Sequence, residues 1–537
     1  MFYLVLGGIA LIGLLMTLFQ MRNHPKGLFI LFFAEMWERF SYYGMRALLV
    51  LYLTQHFLFG ERAAYGLYGA YTTLVYILPV IGGVLADRYL GQRRAVQVGA
   101  VLLVMGHLGM AVEGEPVAPG GSPDATIINI FYLSLALIIM GVGFLKANIS
   151  TIVGELYPKT DTRRDGAFTL FYVGINLGAA FGALLAGYLG ETFGWKYGFG
   201  LAGIGMLAGL VVFVIGRPLL KGAGESPDLE LLKKKRFAGL STEWLIYVGT
   251  LAMTIFVWWV VRDQDTVNVL LMIAGALTVA YILYRSVFTL EPHARDRIFA
   301  AVFLISIQVL FWALFEQTGS SLNIFTRDQV DRTIFGQEIV TSVFQSINAI
   351  YIILLGPVFA MLWVYLGKRG LEPTAPQKFG LGVIQLGLGF LVLVWGATSN
   401  AGLTPVIFIF LIYLLHTTGE LCLSPVGLSA MTRLSTRSMV GLIMGTWFLA
   451  SGAGNAVAAL IAQATAAVGP DGEPVVLDVY SNVGWLAVWV GIGLIVVSPA
   501  INWLMHLKTL KDEEHPLAGE REIGEPMGPG VHPPTKS

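Results

Sequence analysis

Fifteen runs of roughly twenty apolar residues divide the chain. They lie near 2–20, 27–58, 67–86, 95–112, 126–149, 166–190, 196–216, 243–261, 266–284, 299–319, 340–366, 378–397, 404–427, 439–465 and 481–506. Each is long enough to cross a bilayer as a helix. In lipid every backbone N–H and C=O must be satisfied within the protein, so only helices or a closed barrel span. No stretch alternates residue by residue as a barrel strand does. The expected fold class is therefore all-α, a polytopic membrane protein. Charge content agrees: 13% of the residues are charged, where soluble domains carry about a quarter. Net charge is zero, so the total points to no partner. The single cysteine, Cys422, excludes an internal disulfide, and no zinc spacing exists. Neither a metal nor a cofactor is expected.

The loops orient the spans. The first run has no basic segment before it, and its basic residues, Arg22 and Lys26, follow it. It reads as a retained helix with its N-terminus outside. Threading the runs in order puts 24 Lys and Arg on one side and 5 on the other, before the tail. The basic side carries Arg22, Arg88, Lys159, Arg163, the run Lys233–Arg236, Lys368, Arg433, Arg437, Lys508 and Lys511 among others. Positive loops stay in the cytoplasm, which places the C-terminus there. Residues 217–242 read as a polar, basic cytoplasmic linker, and 509–537 as a disordered tail. The basic run at 233–236 suits a solvated face beside anionic lipid far better than nucleic acid. The expected organisation is an extra helix (1–22), six helices (27–216), the linker, an inserted pair (243–285) and six more helices (299–506). Six plus six resembles the two similar bundles of major facilitator transporters.

Residues 35–46, EMWERFSYYGMR, place four ionisable side chains inside a spanning run. At 100° per residue Glu35, Glu38, Arg39, Tyr42 and Arg46 fall within about 100° of arc, while Met36, Trp37 and Phe40 lie elsewhere. The charges form one stripe, facing protein or water. Glu35 and Arg39 are spaced for pairing. A lone charge at mid-bilayer costs about 2.5–3.5 kcal/mol on insertion scales, so such charges mark pathways. Lys146, Glu316 and Glu420 sit in other spans. The cations Arg39, Arg46 and Lys146 come from the first six core helices. Glu316 and Glu420 come from the last six. A cavity between the halves then suits a zwitterion, with its carboxylate towards Arg46 and Lys146 and its amine towards Glu420.

EMWERFSYYG matches ExxERFxYYG of the proton-dependent oligopeptide transporter family, bacterial type. FYVGINLGAAFG (171–182), FWALFEQTGSS (311–321) and GELCLSP (419–425) are similar to the same family, and GGVLADRYLGQRR (82–94) to a loop of the wider superfamily. The resemblance covers about 25–508. The span at 2–20 departs from the family's fourteen-helix pattern and is not expected to touch the transport site. The resemblance implies import of di- and tripeptides with protons, by alternating access, across the bacterial inner membrane. It implies substrate contacts at Arg46, Tyr43, Tyr76, Lys146, Asn176, Trp312, Asn348, Glu420, Ser424 and Trp447. It also implies proton coupling and gating by Glu35, Glu38, Arg39, Lys146, Glu316 and Glu420. Arg46 would pair with Glu316 at an outer gate and Lys146 with Glu420 at an inner one. Gly83, Asp87, Arg88, Gly91, Arg93 and Arg94 form the loop motif, assigned to latching helix ends rather than to substrate.

Two other readings share the pattern. One is a proton-coupled carrier of nitrate, a sugar or a drug on the same fold. The other is a non-transporting membrane sensor, which would tolerate loss of the charged set; here the set is complete. No Ser/His/Asp, HExxH or P-loop pattern points to an enzyme. The partners expected are peptide, protons and lipid, with no nucleic acid and the oligomeric state open.

Overall fold

The computed structural model describes residues 1–158, 161, 163–237, 239–436, 439–469 and 474–507. The tail expected at 509–537, and Lys159, Arg437, Lys508 and Lys511, lie outside them. Every apolar run folds as helix. Helix α1 is Phe2–Gln20. The first bundle contains α2 (Lys26–Gln55), α3 (Glu61–Leu85), α4 (Gln92–Met110), α5 (Ala125–Glu155), α6 (Arg163–Phe181) and α8 (Trp195–Gly216). One π turn, Gly182–Ala186, joins α6 to α7 (Gly187–Phe193). The second contains α12 (Pro292–Phe315), α14 (Ser346–Lys368), α15 (Ala375–Thr398), α16 (Ile407–Leu434), α17 (Val440–Thr465) and α18 (Val476–Leu504). Between the bundles come a short α9 (Leu229–Lys233) and the pair α10 (Thr242–Val260) and α11 (Gln264–Phe288).

Among the described residues, thirteen helical segments are long and apolar enough to span by length and composition. The two that fall short are α2 and α4. Helix α2 misses because of its charged stripe, yet 23 of its residues are buried, among them Glu35, Glu38, Arg39 and Arg46. Protein, rather than lipid, surrounds those charges. Helix starts follow local chemistry. Asp124 accepts from the amides of Thr126 and Ile127 at the head of α5. Thr374 and Gln377 form a reciprocal cap on α15.

The bundles meet along two seams, α3 against α17 and α6 against α14. Each seam carries an additional helix. Helix α11 packs on both α3 and α17, and α1 on both α6 and α14. Helix α1 is anchored near its start by aromatic contacts: Phe2 meets Phe344 and Phe410, and Tyr3 meets Tyr188. The Val340 amide donates to the Tyr3 hydroxyl at 3.3 Å. Its Gly13 faces Ile353 and Leu177, the latter beside Asn176. The first helix thus stays off the cavity but lies directly behind the helices that carry Asn176 and Asn348, closer to the site than the sequence suggested. At its other end Arg163 donates to the Asn23 carbonyl, and its guanidinium and backbone amide also donate to Asp161, which holds that carboxyl down at about 2.

The run expected at 299–319 extends further. Helix α12 ends at Phe315, tightens into a 3-10 turn over Glu316–Gly319, and continues as α13 (Ser321–Gln329). Short strand pairs close the adjoining loops, Val330–Asp331 on Thr404–Pro405 and Thr333–Ile334 on Gln337–Glu338.

The polar linker is docked rather than loose. Arg93 donates to the Ala223 carbonyl at 2.6 Å and pairs with Glu225 at 2.9 Å. The Gly224 amide donates to Glu155, and Ser226 to the Tyr89 carbonyl. Gly91, at φ +73°, takes the left-handed turn this packing needs. The loop motif joins helix ends and also holds the linker. Asp87 accepts from Gln92, Arg93 holds the linker, and Arg94 pairs with Glu243 on α10. Gly83 and Arg88 lie at the same end of α3, with Arg88 exposed.

Candidate functional site

Six helices point side chains into one cavity between the bundles. Its wall includes Tyr43 and Arg46 of α2, Tyr76 of α3, Asn176 of α6, Trp312 and Glu316 of the α12 segment, Asn348 of α14, and Glu420 and Ser424 of α16. The two halves thus meet at the residues the sequence singled out. Lys146 is not in the wall itself. Its ammonium lies 3.8 Å from the centre of the Tyr76 ring, a cation–π contact that puts it one side chain behind. Trp447 is a correction. It is 4% exposed, packs against Gly427 and Phe379, and does not line the cavity. Tryptophan fills helix–helix gaps as readily as it lines pockets. His416, one turn before Glu420, is buried against Phe390 and Phe315, also off the cavity.

Along α2 the stripe splits into two groups. Arg39 Nε lies 2.8 Å from Glu35 Oε1 and 3.1 Å from Glu38 Oε2. Both carboxylates are buried, and Glu35 Oε2 and both Glu38 oxygens accept no hydrogen bond of good geometry. Two turns on, Arg46 crosses to the other bundle. Its Nη2 pairs with Glu316, and its Nε donates to the Tyr68 hydroxyl at 2.6 Å. Tyr68 went unremarked in the sequence. It lies two turns from Tyr76 on the same helix, which is the signal that could have found it. Tyr172, Gln345 and Thr318 also line the cavity. Tyr172 sits one turn before Asn176, whose amide donates to its carbonyl. The other two lie in irregular segments where helical spacing gives no guidance.

The end of the cavity beyond Arg46, away from the basic loops, is closed by contacts between bundles. Asn323 donates to the Ala47 carbonyl at 3.2 Å and Arg327 to Thr54 Oγ1 at 3.1 Å. Glu191 accepts from the amides of Thr341 and Ser342. The basic end is different. Lys146 and Glu420 are not paired, and Glu420 Oε2 instead accepts from Asn348 Nδ2 at 3.0 Å. Helix α14 has no buried residue from Ile353 to Lys368, and cavity-lining Tyr172 is 40% exposed. Of the two expected gates, the Arg46–Glu316 pair is made and the Lys146–Glu420 pair is open. Asn348, expected to face a substrate amide, here holds Glu420. Trp312 Nε1 is buried without a partner at the cavity wall.

Gly319 makes room for the contact of Arg46 with Tyr68 and Glu316. A Cβ there would overlap the Tyr68 hydroxyl and stand 3.1 Å from Arg46 Nε. Gly319→Ala is expected to displace Tyr68 and weaken closure by about 1–3 kcal/mol, the usual cost of overpacking. Faster alkylation of a cysteine placed at Ala47 would report it; an unchanged rate would contradict it.

Two six-helix bundles around a central charged cavity, joined across it by the Arg46–Glu316 ion pair, define a secondary transporter of the major facilitator fold. A family model described as the POT family matches residues 93–476. The chain belongs to that family. Similar proteins include the peptide transporter YePEPT of Yersinia enterocolitica, 37% identical over 82% of this chain and 88% of that one. Dipeptide and tripeptide permease B of Edwardsiella piscicida is 32% identical over 90% and 96%. A crystal structure of a mutant peptide transporter POT with alafosfalin superposes with a TM-score of 0.77, at 36% identity over 90% and 96% of the two chains.

Proposed function

We propose that this protein is a proton-coupled symporter that imports di- and tripeptides by alternating access, in a bacterial inner membrane with its C-terminus in the cytoplasm. The observation that carries the proposal is the Arg46–Glu316 pair joining the two bundles, with unpaired-by-lysine Glu420 in the same cavity. Arg46 competes for two partners, the gate carboxylate and a peptide carboxylate. Glu420, with no lysine on it, is left for an amine, while Arg46 takes the carboxylate and Lys146 adds its charge from behind the Tyr76 ring. A site that grips termini tolerates many side chains, and the aromatic wall of Tyr43, Tyr76 and Trp312 adapts to them.

Protons enter by the same competition. A neutralised Glu316 releases Arg46 and lets the outer end open. Glu35 and Glu38, with oxygens that no donor satisfies, are where a further proton binds. Each carboxylate either carries a proton or holds a cation, and this linkage makes proton and peptide movement one cycle. The membrane potential contributes about 2.3 kcal/mol per charge per 100 mV.

In liposomes, labelled dialanine is expected to accumulate when the outside is acidic and the lumen negative. Unlabelled di- and tripeptides should compete; nitrate, sugars and single amino acids should not. Lys146→Ala and Glu35→Ala are expected to lose uphill accumulation. Accumulation by both variants sinks the coupling scheme, and no uptake by the wild type sinks the substrate.

A further inference from the structure

Helix α10 is pinned to the first bundle at its two ends and packs on α5 through its buried Thr250 and Thr254, leaving a gap to one side of that contact. Near its start Arg94 Nε lies 3.2 Å from Glu243 Oε1. Near its end Trp258 Nε1 donates to the Asn129 carbonyl at 3.2 Å, and Arg262 donates to Asn129 Oδ1 at 2.8 Å. Between these anchors a groove of about 460 Å³ runs between α10, α3 and α5. Leu85, Phe144, Ile246, Gly249 and Met253 make its wall, and Arg236 stands at one end. A side chain added at Gly249 would meet nothing within 4 Å, so the groove is open space.

The mouth has a chemical character of its own. Lys233, Lys234, Lys235 and Arg236 are all exposed. Among the described residues none of them is in an ion pair, while the neighbouring Glu243 is already matched by Arg94. Phe237 is 76% exposed and Trp244 60% exposed beside them. Exposed aromatics next to lysines mark the membrane–water boundary. The groove therefore starts at the headgroup level and runs towards the middle of the bilayer.

We propose that this groove holds one acyl chain of an anionic phospholipid, with its phosphate against Arg236 and the adjacent lysines. An apolar void opening to hydrocarbon fills with the apolar chain that surrounds it, since an empty wall forfeits its dispersion contacts. The basic mouth selects the head. Each Lys or Arg near an anionic surface adds attraction to it, so four such residues favour an anionic over a zwitterionic head. The groove also backs onto the transport site. Phe144 is two residues from Lys146, and Leu78, another wall residue, is two from Tyr76. The proposal is independent of which solute is carried.

The test uses the full chain, purified and stripped of lipid, then titrated with phosphatidylglycerol, phosphatidylcholine or glycerol 3-phosphate. Native mass spectrometry counts bound lipid and thermal melting reads its effect. One retained phosphatidylglycerol, bound at least tenfold more tightly than phosphatidylcholine, is expected, with no binding of glycerol 3-phosphate. Gly249→Trp should abolish the retained lipid, and the smaller Gly249→Leu should weaken it if the tryptophan variant folds poorly. Arg236→Gln with Lys235→Gln should keep binding but lose the headgroup preference. Equal binding of both phospholipids in the wild type would mean boundary lipid only and overturn the proposal. So would an unchanged lipid count in both Gly249 variants, and tight binding of glycerol 3-phosphate alone would make the site a phosphate site instead.

Discussion

Glu316→Gln is expected to unlock the outer end of the protein. In the present state Glu316 and Arg46 are both buried, 2% and 5% exposed, and each is the other's charge partner. Removing one charge leaves the guanidinium buried without a counter-charge, beside only neutral acceptors, the glutamine oxygen and the Tyr68 hydroxyl. Breaking a buried pair by deleting one partner costs about 3–5 kcal/mol. That cost falls on the outward-closed state, so the population should move towards the open one by about a hundredfold at the lower figure. Spin labels at Gln55 and Asp331, on exposed sites across the outer end, should report longer distances in the variant. In the wild type the same lengthening should appear as external pH falls, because a protonated Glu316 is equivalent to the glutamine. In the variant it should be independent of pH. The exchanged pair Arg46→Glu with Glu316→Arg should restore closure without restoring peptide binding, since the cation then sits on the wrong wall. Short distances in Glu316→Gln at all pH values would show that the hydrogen bonds of Asn323 and Arg327 alone hold the gate.

The second large effect belongs to Glu420. Its carboxylate lines the cavity with a single neutral donor, Asn348, and no cation beside it. A peptide amine entering there completes a desolvated charge pair. Truncating one member of such a pair costs about 2–5 kcal/mol, which predicts at least a thirtyfold rise in the dialanine concentration that half-inhibits uptake of a labelled peptide by Glu420→Gln. N-acetyl-dialanine supplies the control. It should bind the wild type poorly and the variant no worse, so the two changes are strongly non-additive. Additive losses would place the amine elsewhere, with Trp312 and Ser424 lining the remaining wall.

The charged residues were legible because membrane charges are costly and therefore few. Arg46, Glu316 and Glu420 needed only that argument, and the structure sets all three around one cavity. Lys146 was identified by the same reasoning, but its placement over Tyr76 depends on how α5 meets α3. Trp447 shows the opposite limit. Its spacing and size fit a pocket wall and a packed core equally well, and burial against Gly427 decides for the core. Tyr68 was passed over because a tyrosine in an aromatic-rich helix carries no energetic flag until a guanidinium is found 2.6 Å away.

The number and course of the spanning helices follow from the chain alone, since lipid forces each backbone segment to satisfy itself and the apolar runs are local. The placing of α1 and α11 on opposite seams does not, nor does which end of the cavity is shut. Those depend on contacts between residues hundreds apart in the chain, such as Arg46 with Glu316, and pairing over that distance leaves no periodic trace in the sequence.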